Sequence, residues 1–221
     1  MAKLYFRYGA MNSGKSTAML QAAYNYEERG QQVLLTKPQV DTKGESRIVS
    51  RLGVSRAIDF ALTPDDSALD AFLVQRDRVR KQTGLEVSCL LVDEAQFLSE
   101  AQVDDLLRIA IREGVPVLAY GIRTDFQTVA FPGSRRLLEV AHSLEELKTI
   151  CRCGRKAIFN ARKIGDRFLF DGDQVAIDGV DASYESLCGA CYLDESAGVL
   201  NYGRRFRIDA SYGFGPDADF S

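Results

Sequence analysis

The sequence lacks the features that would send it to a membrane or to nucleic acid. No apolar run approaches the roughly 20 residues that a bilayer span requires. No basic excess exists: 28 Lys and Arg stand against 31 Asp and Glu, a net charge of -3. A general nucleic-acid or membrane-surface binder would carry a basic footprint instead. The opening MAKLYFRYGAMNSGKS is not patterned as a signal peptide, because one strand's worth of apolar residues gives way at once to glycine and polar residues. There is no internal repeat and no low-complexity tract. Histidine is nearly absent: His142 is the single one. It follows the helical stretch RRLLEVA and reads as a helix-end or surface residue rather than a catalytic base. These absences predict a cytoplasmic protein with neither a membrane nor a nucleic-acid partner.

Cysteine is scarce but unevenly placed. Of the five, Cys89 sits in an apolar run and reads as core. The other four form two tight pairs, CRC at 151–153 and CGAC at 188–191. In a reducing compartment such pairs read as metal ligands before they read as disulfides.

What is present suffices for a sizeable core. A chain of 221 residues, 46% hydrophobic, accommodates one large domain or a domain with a small appendage. Strand and helix signals alternate over the first 140 residues. KLYFRY (3–8) is an aromatic-rich strand ending at Gly9. The Ala-rich, proline-free STAMLQAAYNYEERG (16–30) suits a helix closed by glycine, and QQVLLTK (31–37) reads as the next strand. The polar stretch 40–56 has no clear period and reads as a mobile loop. Residues 65–82 fit a helix with Leu69, Phe72, Leu73 and Val79 inward, followed by the strand VSCLLV. A helix over 99–113 and the strand VPVLAYG (115–121) come next. Alternation of this kind implies parallel strands joined by crossover helices, an α/β domain over residues 1–143. From 144 to 203 the chain turns often and carries all four paired cysteines, which predicts a second, small, metal-stapled domain. Residues 204–221 read as a loose tail.

Two segments carry chemistry. GAMNSGKS, Gly9 to Ser16, matches the phosphate-loop pattern G-x-x-x-x-G-K-[ST] at every fixed position. Its glycines let backbone N–H groups converge on phosphate oxygens. Lys15 supplies charge to the β and γ phosphates, and Ser16 offers a hydroxyl to Mg²⁺. The helix that starts here adds its positive end. A chance match is the alternative, and the position between a strand and a helix speaks against it. Downstream, CLLVDEAQF (89–97) breaks an apolar run with two adjacent acids. In phosphate-loop proteins an Asp at the end of a nearby strand helps to hold Mg²⁺, which fits Asp93. Glu94, one residue on, is placed to accept a proton from the group that attacks the γ-phosphate. The alternative is a pair of surface acids that cap a strand.

Cys151, Cys153, Cys188 and Cys191 could set four thiolates about Zn²⁺. The C-x-C spacing is shorter than usual, so a reactive dithiol or unpaired buried thiols remain open. A closed zinc site would pin both ends of the 34 residues between Cys153 and Cys188, as a small domain with little core requires.

These motifs taken in order resemble the zinc-containing thymidine kinases. GAMNSGKST, DEAQF, GIRTDFQTVAF, the paired cysteines and QVAIDGVDASYESLCGACY carry the resemblance over residues 1 to about 195. The first is generic; the last three in this order are specific. The resemblance implies a RecA-like parallel sheet flanked by helices, with a small C-terminal zinc-stapled "lasso" domain. It implies ATP-dependent transfer of phosphate to the 5′-hydroxyl of thymidine and related pyrimidine deoxynucleosides such as deoxyuridine. Glu94 would be the catalytic base. Gly9, Ala10, Met11, Asn12, Ser13, Gly14, Lys15, Ser16, Thr17, Asp93 and Gln96 would bind ATP, with Ser16 and Asp93 on Mg²⁺. Met11, Phe97, Phe126 and Phe131 would line the thymine pocket, and Ile177, Gly179 and Tyr184 would belong to the lasso that closes over it. A homotetramer inhibited by dTTP is implied as well.

This chain departs from the family pattern at Lys43, where Arg is common, at Asp178 and Val180 within the lasso, and at Asn160, where Thr is common. The rival reading is an ATPase motor acting on nucleic acid, since DEAQ looks like a helicase motif. Such motors need a second ATP-clamping domain and a basic track, and the length and charge here provide neither. A signalling GTPase would need an Asn-Lys-x-Asp signature, which is absent.

Overall fold

The structure, a computed structural model, describes residues 1–39, 47–170, 172 and 182–198. Along the chain, β1 (Leu4–Tyr8) leads through the phosphate loop into α1 (Lys15–Glu27), then β2 (Gln32–Pro38), β3 (Arg47–Val49), β4 (Ser55–Ala57) and β5 (Phe60–Leu62). α2 (Ala68–Thr83), β6 (Val87–Val92), α3 (Glu100–Arg112), β7 (Val117–Gly121), α4 (Pro132–Val140) and β8 (Ser143–Glu146) follow. A six-stranded sheet takes the order β5-β2-β6-β7-β1-β8, and every pairing in it is parallel.

The pleat explains why these strands read as continuous apolar runs. Successive side chains face opposite sides, and helices cover both. Leu34, Leu90, Val92, Val117 and Ala119 pack with Phe72 of α2, Leu106 and Ile109 of α3 and Leu137 of α4. Their neighbours Val33, Leu35, Cys89, Leu91, Leu118 and Tyr120 pack with Met19, Leu20 and Ala23 of α1. The α2 residues Leu69, Leu73 and Val79 lie partly buried against the first cluster, on the inward face expected of them. Ser99 and Gln102 form a capping box that starts α3.

The stretch 40–56 is not wholly loop. Residues 40–46 lie outside the described residues, but β3 and β4 form an antiparallel hairpin. Its lack of apolar period misled because only Ile48 faces the core; that residue packs against α1. The sheet also takes in Ser143–Glu146, paired to β1, so the change in architecture comes a few residues after 143.

Beyond it, β9 (Thr149–Ile150) pairs with β10 (Lys156–Ala157), and β11 (Phe159–Ile164) lies between β12 (Arg167–Leu169) and β13 (Ala182–Leu187). Helix α5 (Gly189–Glu195) closes this unit. Its core is small: Ala157, Ala161, Leu187 and Tyr192 with Cys151 and Cys188. Residues 199–221, with the expected tail, lie outside the described residues.

Candidate active site

The phosphate loop leaves β1 and the acidic pair leaves β6, and β7 lies between those two strands. At the usual strand spacing the two groups are roughly 10 Å apart, at the carboxyl edge of the sheet where ligands of α/β folds bind. The loop turns through left-handed backbone at Asn12 and Gly14, with φ of 67° and 78°. Gly9 must lack a side chain, because a Cβ there would collide with Leu147 O and Ser13 Oγ. Lys15 folds back, its Nζ donating to Ala10 O at 3.0 Å. Burial depresses its pKa, the nearby Glu94 and Asp93 oppose that, and Arg51 adds to it.

Asp93 is buried at the end of β6. Its pKa is pushed up to about 7, first by burial and then by the adjacent Glu94; the Glu94 N–H, Lys15 and Lys37 pull it down. Glu94 turns the chain, with φ 48° and ψ 37°, so two neighbouring acids that a strand would point apart are both brought toward the cradle. The Glu94 carboxylate accepts a hydrogen bond from Gln96 Nε2. Gln96 in turn accepts at Oε1 from the Ile122 N–H, 3.2 Å away. Gln96 is buried, and Gly121 makes room for it: a Cβ at Gly121 would sit 2.7 Å from Gln96 Oε1.

One cavity of about 950 Å³ joins these groups to an apolar wall. Met11, Asn12, Gly14, Lys15, Ser16 and Thr17 line it at the phosphate end; Glu94 and Gln96 lie with them, and Phe97, Phe126, Phe131 and Tyr184 form the aromatic part. Phe97 and Phe131 meet edge to face at 5.3 Å. Gly9, Ala10, Ser13 and Asp93 stand behind this lining. Ile177 and Gly179, and the departures at Lys43, Asp178 and Val180, lie outside the described residues. His142 is remote, its Nδ1 accepting from the Leu4 N–H beside β1, as a helix-end histidine should.

Sequence reasoning named Tyr184 and Asn160 but missed Arg162 and Ser186, which share a polar face of the small sheet with them. Asn160 pairs with Ser186 and Arg162 with Tyr184 across β11 and β13. Asn160 Oδ1 accepts from the Met11 N–H at 2.7 Å, and its Nδ2 donates to Thr124 O at 3.2 Å. Ser186 Oγ donates to Met11 O. Arg162 lies 3.7 Å from the Phe126 ring centre and donates from Nε to the Tyr184 hydroxyl at 3.2 Å. Alternating polar residues in FNARK and ASYES were the signal. Asp125, Ile122 and the Val49, Arg51 and Leu52 side chains of the hairpin also line the cavity. Asp125 shapes the loop that holds Phe126, accepting from the N–H groups of Gln127 and Val129.

The four paired cysteines come together, their sulfurs all within 4.8 Å of one another. A tetrahedral zinc with bonds of about 2.3 Å places its sulfurs about 3.8 Å apart, so the donor set fits Zn²⁺. Burial opposes ionisation of Cys151, yet the N–H groups of Cys153 and Cys188 bring it down to about 6. Cys191 moves the opposite way, to about 12, through the thiols of Cys153 and Cys151.

Comparison with known proteins agrees with the geometry. The family model described as thymidine kinase matches residues 2–192. A thymidine kinase of Idiomarina loihiensis is 50% identical over 192 residues, 85% of this chain and 94% of that one. One of Rhizobium meliloti is 47% identical over 191 residues, 85% of this chain and 94% of its own. One of Legionella pneumophila is 47% identical over 200 residues, 90% of this chain and 92% of its own. The chain belongs to the thymidine kinase family.

Proposed function

We propose that this chain transfers the γ-phosphate of ATP to the 5′-hydroxyl of thymidine, and of deoxyuridine, with dTTP as an inhibitor. The observation that supports this most is that one cavity is lined by residues of the phosphate loop, by Glu94 and by the aromatic side chains Phe97, Phe126, Phe131 and Tyr184. Backbone N–H groups of Gly14 to Thr17, where α1 begins, and the Lys15 ammonium hold the triphosphate. Ser16 and Asp93 would hold Mg²⁺, which would supply neutralisation of phosphate charge there. Asp93, buried at the end of β6 beside a second acid, suits that role.

Met11, Phe97, Phe126, Phe131 and Tyr184 enclose the base, with Ile177 and Gly179 in the closing lasso. They set the 5′-hydroxyl beside Glu94, whose carboxylate Gln96 orients and which takes the hydroxyl proton. Transfer breaks the bond from the γ-phosphorus to the β,γ-bridging oxygen and forms one to O5′. Lys15 balances the charge left on ADP. Cys151, Cys153, Cys188 and Cys191 would hold a structural Zn²⁺, which would tie down the base of the small sheet. The assembly is a homotetramer, and the compartment is the cytoplasm. In the test, radiolabelled γ-phosphate should appear on thymidine and ATP turnover should depend on the nucleoside. Turnover independent of any nucleoside would reject the proposal.

A further inference from the structure

Met11 occupies an unusual place. It belongs to the phosphate loop, yet its side chain lines the same cavity as the aromatic wall. Both polar groups of its main chain are taken by the small sheet: its N–H donates to Asn160 Oδ1 at 2.7 Å, and its C=O accepts from Ser186 Oγ. Asn160 and Ser186 face each other across β11 and β13, so the two bonds leave one point of the sheet as a fork. Asn160 also grips Thr124 O at 3.2 Å, in the loop that presents Phe126. Neighbouring Asn12 adds a weaker tie, its O accepting from Thr149 Oγ1 at 3.4 Å.

We propose that Asn160 and Ser186 are positioning residues that couple the phosphate cradle to the nucleoside pocket through the main chain of Met11. The inference rests on the proposed kinase reading. The phosphate loop binds anions through its N–H groups, so filling the cradle fixes the backbone from Gly9 to Thr17. With Met11 forked to β11 and β13, fixing that backbone fixes the strand bearing Tyr184. It also fixes the Thr124 loop bearing Phe126, so the base wall is ordered before the base arrives. The reverse holds by linkage: a bound nucleoside must tighten the cradle by the same factor.

Ser186 gives the clean test, because it is buried, does not line the cavity and reaches it only through the main chain of Met11. Thymidine affinity is measured on the full chain by titration calorimetry, with and without a non-hydrolysable ATP analogue and Mg²⁺. In the wild type the analogue should tighten thymidine binding about fivefold or more, the low end of ordinary site-to-site coupling. Ser186→Ala should bring that factor to within about twofold of unity while leaving affinity for the analogue alone nearly unchanged. Ser186→Thr, which keeps the hydroxyl, should retain the coupling.

Independent binding in the wild type would overturn the inference and leave the kinase reading standing. A Ser186→Ala protein with a lowered melting temperature but full coupling would overturn it too, since the hydroxyl would then serve folding alone. Should Ser186→Ala not fold, Asn160→Asp decides. It keeps the acceptor for the Met11 N–H but faces Thr124 O without a donor, so coupling should weaken; undiminished coupling would count against the fork. Failure of the wild type to bind or phosphorylate thymidine at all would instead reject the kinase reading.

Discussion

At the residue scale the proposed chemistry depends on how Glu94 is held. Its carboxylate accepts from Gln96, and Gln96 is fixed by the Ile122 N–H and by the empty space at Gly121. A positioned base contributes about 10²–10⁴ in rate, so Glu94→Gln should lower kcat by that order. Titration of thymidine and of an ATP analogue should show binding retained. Gly121→Ala tests the support rather than the base. A methyl group 2.7 Å from Gln96 Oε1 must displace that amide, and a misplacement of about 1 Å commonly costs about 10²-fold. Steady-state kinetics should therefore show a large fall in kcat, although Gly121 touches no substrate. The acids were legible in the sequence because they interrupt an apolar run. The task of Gln96 was not, because its anchor lies 26 residues away and only the β6–β7 pairing brings the two together.

At the scale of elements, the pairing of β11 with β13 decides which polar residues face the cavity. The alternation in the sequence shows that these strands have two unlike faces. It does not show which face meets the phosphate loop, since a shift of one residue would exchange them. The register Arg162↔Tyr184 puts a buried guanidinium behind the base wall, 3.7 Å from the centre of Phe126 and 5.8 Å from that of Tyr184. A desolvated cation over an aromatic ring is worth about 2 kcal/mol, and lysine lacks the plane that stacks and the Nε donor that reaches Tyr184. Arg162→Lys should raise the nucleoside KM about tenfold, consistent with that energy, and leave the ATP KM nearly unchanged. An equal rise in both would mean that the residue holds the fold and not the wall. The hairpin β3–β4 shows the opposite difficulty: with one inward residue, Ile48, it has too little pattern to be seen in the sequence.

At the scale of the molecule, the large parallel sheet and its loops carry the phosphate loop and most of the aromatic wall, and the small antiparallel sheet adds Asn160 and Tyr184. The first was plain in the sequence, because strands buried on both faces leave uninterrupted apolar runs. The second was visible mainly through its cysteines, since its core is only a handful of residues. So small a core calls for a staple. Protein purified under reducing conditions should contain about one zinc per chain, as one four-thiolate site requires. Removing it with a chelator should raise the nucleoside KM before it affects ATP binding. Metal analysis showing no zinc in a folded, active enzyme with four titrating thiols would contradict this.

The central claim is that the cavity joins ATP to a pyrimidine deoxynucleoside, and the most direct measurement is ATP-dependent phosphorylation across the deoxynucleosides. Thymidine and deoxyuridine differ by one methyl group, worth about 1–3 kcal/mol in an apolar pocket, so both should be substrates with thymidine the better. Deoxyadenosine and deoxyguanosine should be rejected, because the proposed base site between Phe97, Phe126, Phe131 and Tyr184 is assigned to a single ring. Rapid turnover of either purine, or none of thymidine, would contradict the account.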